Sequence, residues 1–351
     1  MRLSHVLLAA FIGSCAFLAR AETTTPTTTP TTPTTEGPYK IVNTAKVGGD
    51  GGFDYVYADA DTRHLFVVRS GNPGGRISVY DLDSVKLVKE IPNVKGGHGV
   101  AVDSKSGHGF SSSNPVVMFD TKTLEVIKTI DVTGRPDGIL FEPATAKIYV
   151  LSHSAPNVTV INAADGAIAG TIDLGGAPEQ AASDGKGHVY VCVEDKNQVA
   201  VVDANTMKTT AHYDLGEKGG TPAGMTLDVV NNILFVYCRK SQSCVILNAA
   251  DGKIIATLPT GSGVDAAEFN PATMEAFSSQ GDGTLTVIKE NSPTNFVVEQ
   301  NLQTKRGAKT STLDSNTGQI YLIAAERAAG GGGGRGGAVV PGSFSIIVVG
   351  K

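Results

Sequence analysis

The chain has no tryptophan, and Phe and Tyr bring the aromatics to only 6% of its 351 residues. A core made without large aromatic anchors must be filled by β-branched and aliphatic side chains. Charged residues are sparse at 18%, and the formal charge is −5. A mildly acidic chain lacks the basic field of a nucleic-acid binder, so nucleic acid is not an expected partner. Four cysteines without a CxxC pair rule out a disulfide scaffold. No segment keeps a helical apolar period, and none reaches the ~20 apolar residues of a membrane-spanning helix. The nucleophile and zinc signatures GxSxG, HExxH and SxxK are missing. Glycine, in contrast, is abundant at 42 residues, and it punctuates short apolar runs throughout.

The first residues read as a targeting segment. Arg2 precedes an apolar stretch from Val6 to Leu18, and Ala19-Arg20-Ala21 gives a small-residue cleavage pattern. Residues 1–21 are therefore expected to be a secretory signal and the chain to be exported, to a periplasm or beyond the cell. Lipidation of Cys15 is the competing reading of the same segment. Residues 22–38 form a Thr/Pro-rich linker with nothing to bury, suited to a solvated spacer or an envelope tether.

From there the chain repeats. Runs such as Ile77–Asp81, Val116–Asp120, Val158–Asn162, Val199–Asp203 and Cys244–Asn248 end in Asp or Asn, and Leu285–Lys289 and Ser345–Val349 continue the series. From Asp81 to Lys289 they recur every 39 to 45 residues, and with Ser345–Val349 they make seven units. Each unit holds four short β-type runs, A to D. In the third they are Asp137–Phe141, Lys147–Ser152, Asn157–Ile161 and Ala167–Ile172. The expected fold is all-β: a seven-bladed β-propeller of four-stranded antiparallel blades over residues 39–351.

The last unit stops at its third run. Its fourth lies at the other terminus, in Tyr39–Val47, so the N-terminal strand is expected to complete the last blade and close the ring. A glycine-rich loop, 328–342, is inserted in that blade. It lacks the GxxxxGK[ST] order of a phosphate cradle.

The runs KIYVLS (147–152), HVYVCV (188–193) and QIYLIA (319–324), with VTVINAADG (158–166) and VILNAADGK (245–253), resemble the YVTN-repeat, YncE-like β-propellers of exported bacterial proteins. The resemblance spans residues 39–351. It implies the fold and export. The family has no general reaction, and the single-stranded DNA binding of one branch does not suit this acidic chain.

Two positional series could carry chemistry. Asp59, Asp103, Glu142, Asp184, Asp228, Asn270 and Asp314 follow run A in every unit, where they suit turn capping. Five residues earlier come Asp54, His98, Asp137, Glu179, Ala223, Asp265 and Lys309, at the start of the innermost strand and hence at one mouth of the central channel. Residues of the B–C turns, among them Arg69, His153, Glu194 and Arg239, should open on the same face.

Carboxylates and an imidazole converging there would need a shared proton or a cation. Asp54, His98, Asp137, Glu179 and Asp265 are therefore the candidate ligands of a divalent cation, with Ca²⁺, Mg²⁺, Mn²⁺ and Zn²⁺ all compatible. Lys309, Glu194 and Arg239 complete a candidate ligand-binding mouth. The expected function is non-enzymatic binding of a small ligand, cation or protein by a monomer. The alternative is a metal-dependent, lactonase-like hydrolase, with Asp54 and His98 as orienter and base or with a water on a metal beside Asp265. Cys238 and Cys244 flank a tight turn and are candidates for a disulfide; Cys192 would then be a free core residue. His64, His108 and His188 fall away from the mouth and read as surface or structural residues.

Overall fold

A computed structural model describes Met1 and residues 36–49, 51–71, 74–328 and 338–351. The signal segment, the Thr/Pro run and most of the glycine-rich insertion lie outside the described residues. Among those described, no helix is long and apolar enough to cross a membrane.

Among the described residues, twenty-eight strands form seven four-stranded antiparallel sheets, and each sheet is a blade. Blade 1 is built from Gly52–Asp59, His64–Ser70, Arg76–Asp81 and Leu87–Pro92, in sequence order. Blades 2 to 6 follow the same order, with inner strands Val100–Asp103, Pro136–Glu142, Pro178–Ser183, Pro222–Asp228 and Val264–Asn270. In blade 7 the order is Ser311–Leu313, Ile320–Ala324, Ser345–Gly350 and then Lys40–Lys46 from the N-terminal end. Lys40 pairs with Gly350 and Lys46 with Ser345, so the seam is made by β-ladder bonds between the two ends of the sequence.

Apolar patterning explains which strand takes which place. Strands B and C are covered on both faces. Lys147–Ser152 is buried from its second residue on, as its unbroken KIYVLS run requires. Outer strands such as Ile168–Ile172 are exposed or half-buried up to their last residue.

The buried apolar residues fall into seven clusters, one at each blade–blade boundary. Successive residues of a strand point to opposite boundaries: Phe66 and Val68 pack toward blade 2, Leu65 and Val67 toward blade 7. Each fully buried Val, Leu or Ile contributes about 1.5–3 kcal/mol. The stability of the ring is thus spread round its circumference and leaves the axis free of core.

This alternation overturns the expected disulfide. Cys238 packs with blade 4 and Cys244 with blade 6, on opposite faces of blade 5. The register pairs Cys238 with Ser243 and Cys244 with Tyr237, and all three cysteines from Cys192 onward are free and buried.

The seam has a second fastening. The Tyr39 hydroxyl donates to Glu275 of blade 6. Gln300 accepts from the Tyr39 N–H and donates to its C=O, both at 2.9 Å. Lys351 Nζ lies 3.0 Å from Glu275.

Candidate functional site

The A–B turn series is structural. Each of the seven side chains accepts a backbone N–H two residues on, from Asp59 with Asp61 N–H to Asp314 with Asn316 N–H. His64 and His108 bond carbonyls of the next blade, and His188 bonds Asp184, all away from the mouth.

The other series sits where strand A begins, and in five blades that entry carries a β-bulge. Asp54, Asp137 and Glu179 fall inside the irregular stretches Phe53/Val56, Pro136/Ile139 and Pro178/Ala181. Ala223 and Asp265 fall inside Pro222/Gly224 and Val264/Ala266. His98 and Lys309 precede the first paired residue of their strands. A bulge inserts one unpaired residue and re-aims its side chain. At Asp54, Asp137, Glu179 and Asp265 it takes the side chain out of the inter-blade cores and into the mouth, whereas Ala223 stays in the core between blades 5 and 6.

Together they form a closed circuit of alternating acids and bases. His98 Nδ1 lies 2.6 Å from Asp54 Oδ2 and 3.2 Å from Asp137 Oδ1. His153 Nε2 lies 3.0 Å from Asp137 Oδ2 and 3.6 Å from Glu179 Oε1. Arg239 is 3.7 Å from Glu179 and bonds Asp265, which also takes Lys309. Lys309 returns to Asp54 at 3.0 Å. Glu194 joins from outside, 3.5 Å from Arg239. All seven blades contribute to the circuit or its rim.

Blade 5 contributes through a substitute. Ala223 is buried against blade 6, and Arg239 at the end of strand B fills its place. His153, Glu194 and Arg239 share one address, the first residue after strand B. That offset was readable, yet His153 was not among the expected ligands. Tyr55, whose hydroxyl lies 3.3 Å from Glu179 Oε2, gave no signal in the sequence. Arg69 was expected at the mouth and is not there. It lies within strand B, 1% exposed, with its guanidinium 3.4 Å above the Phe344 ring.

Burial and charge push the circuit's acids apart. Burial, reinforced by Asp265, Asp137 and Glu194 against Arg239, pushes the Glu179 carboxyl up to about 9. Burial and the Asp54 charge also raise Asp137, against His98 and His153. Burial acts upward on Asp54 too, but the His98 hydrogen bond and Lys309 hold it below the ordinary carboxylate range. The bond to Asp54 raises His98 in spite of burial.

The five expected cation ligands do not converge on one point. Among the described residues, two groups of three ligand atoms lie within 4.8 Å of one another: Asp54, His98 and Asp137, and Asp137, His153 and Glu179. Asp265 belongs to neither and is taken up by Arg239 and Lys309. Beside both groups is a pocket of about 330 Å³, lined by Lys95, Asn114, Arg135, His98, Asp137 and His153 among others. A larger cavity of about 410 Å³, walled by Tyr57, Leu140, Phe141, Pro143 and Val229, lies among the strand A and A–B turn residues and is largely apolar.

One solved chain, from a structure titled "Crystal Structure of Mitotic Checkpoint Complex", superposes at a TM-score of 0.69 over 99% of each chain. The two are 12% identical. The likeness is one of fold. No protein-family profile and no curated protein sequence matches the chain.

Proposed function

We propose that the chain is an exported, non-enzymatic binding propeller of the YVTN-repeat, YncE-like kind, whose channel mouth holds a small polar ligand or a divalent cation. The observation that carries this reading is the closed eight-membered circuit, Asp54, His98, Asp137, His153, Glu179, Arg239, Asp265 and Lys309. Partly buried ion pairs are a poor way to gain stability, since removing charges from water costs about as much as pairing returns. Six bulged or broken strand entries that gather ionisable groups at the mouth therefore call for a binding role. The apolar start, the Thr/Pro spacer and the strand B and C–D runs support export and the family reading.

The test is calorimetric titration of the full chain with Ca²⁺, Mn²⁺, Zn²⁺ and a panel of small zwitterions and carboxylates. A saturable ligand is expected, weakened at least tenfold by Asp137→Asn or Glu179→Gln. Binding that ignores both substitutions would remove the mouth as the site.

A hydrolase is the second reading, favoured by the 2.6 Å Asp54–His98 contact, which suits an oriented base. Turnover of simple lactones or esters, lost in Asp54→Asn, would establish it; no turnover above background would end it.

A further inference from the structure

We propose a specific ion site within that mouth: a zinc- or manganese-class divalent ion held by Asp137 Oδ2, His153 Nε2 and Glu179 Oε1. The inference rests on the binding reading above and names its ligand.

Three features single out this group. First, His153 Nε2 is buried and makes no hydrogen bond, although it stands 3.0 and 3.6 Å from two carboxylate oxygens. An imidazole nitrogen that faces two carboxylate oxygens and is not taken up by a hydrogen bond is available to a divalent ion. His98, in the other group, already makes a formed hydrogen bond to Asp54, and Asp54 holds Lys309 as well.

Second, the oxygens not offered to the ion are tied back. Asp137 Oδ1 lies 3.2 Å from His98 Nδ1, and Glu179 Oε2 accepts from the Tyr55 hydroxyl at 3.3 Å. Such outer partners fix the free oxygen's direction and are the usual companions of metal ligands.

Third, the donor set has the right chemistry. One imidazole and two carboxylates suit Zn²⁺ or Mn²⁺ and leave at least one position open. Asp137 and His153 form part of the wall of the pocket that also carries Lys95 and Arg135, so a water or a small anion has access to that position. Arg239 is the opposing charge. It stands 3.7 Å from Glu179 Oε1, but its hydrogen bonds go to Asp265, Glu194 and the Val264 carbonyl.

The test uses the full chain, stripped with a chelator and reloaded. Zn²⁺ is expected to bind one equivalent per chain and raise the melting temperature. Co²⁺ is expected to give a visible absorption band from a nitrogen–oxygen site. His153→Gln should weaken Zn²⁺ binding at least 100-fold, while His98→Gln should weaken it only about tenfold, as an outer partner does. Circular dichroism of the stripped variants checks that both remain folded. Should His98→Gln abolish binding and His153→Gln spare it, the ion belongs to the other group and the inference falls. Absence of any Zn²⁺, Mn²⁺ or Co²⁺ effect on the folded wild type also overturns it. The broader binding reading would survive either result if a small organic ligand still titrates against Asp137→Asn.

Discussion

Lys309 Nζ donates to Asp54 Oδ1 at 3.0 Å and so joins blade 7 to blade 1 across 255 residues of sequence. The same ammonium bonds Asp265, which makes it the cation shared by two carboxylates at the ring's seam. Lys309→Met should remove the cation between those carboxylates and leave Asp54 to His98 and Asp265 to Arg239. The side chains are 8–38% exposed, so the loss should be about 1–2 kcal/mol and below that of a fully buried pair. Urea unfolding of Lys309→Met, Asp54→Asn and the double variant should show coupling, the double losing less than the sum of the singles.

Ring closure by the N-terminal strand gives a sharper outcome. Removing residues 39–47 deprives blade 7 of its fourth strand and exposes the Ser345–Gly350 edge. The shortened chain should lose its single cooperative melting transition. Tyr39→Phe should cost about 1–3 kcal/mol, because it strips the buried Glu275 carboxylate of a donor. Calorimetry on both variants checks this.

Glu268 lies on the inner strand of blade 6, where burial outweighs the bond from Ser311 and pushes its carboxyl up to about 8. A folded-state value above the unfolded one means that the native state holds the proton more tightly. Its contribution to stability is therefore complete below about pH 4.5 and is lost as pH rises toward 8. Glu268→Gln should match the wild type near pH 4.5 and exceed it at pH 8. Some decline should persist, since Glu290 and Glu179 are raised in the same direction, to about 7 and about 9. Unfolding free energies between pH 4.5 and 8.5 decide it.

The cysteine arrangement predicts chemistry that is simple to count. Cys192, Cys238 and Cys244 should react with a thiol reagent only after denaturation, all three without prior reduction. Rapid labelling of the native protein, or a thiol revealed only by reductant, would contradict the opposite-face packing of blade 5.

Much of the architecture was legible because a blade repeats. The apolar runs gave the number of units, and the missing fourth run beyond Val349 pointed to Tyr39–Val47, within which the strand Lys40–Lys46 forms. The acids at the A–B turns were also readable, since an Asx turn needs only its own side chain and the next two residues. The mouth was half legible. Asp54, His98, Asp137, Glu179, Asp265 and Lys309 share a repeat position, but the bulges and unpaired strand starts that place them depend on the pairing register with strand B. His153 and Arg239 lie one element further on, and only the assembled ring shows that they alternate with the acids. Arg69 looked equivalent to them, and it differs because it falls within its strand and turns into the blade 7 boundary.

The most direct measurement is an anomalous-diffraction map of the crystallised full chain after a zinc soak. The account predicts one strong peak, about 2 Å from His153 Nε2, Asp137 Oδ2 and Glu179 Oε1 together. A zinc-free mouth in which His153 has turned away from both carboxylates, with any zinc peaks confined to the outer surface, would contradict it.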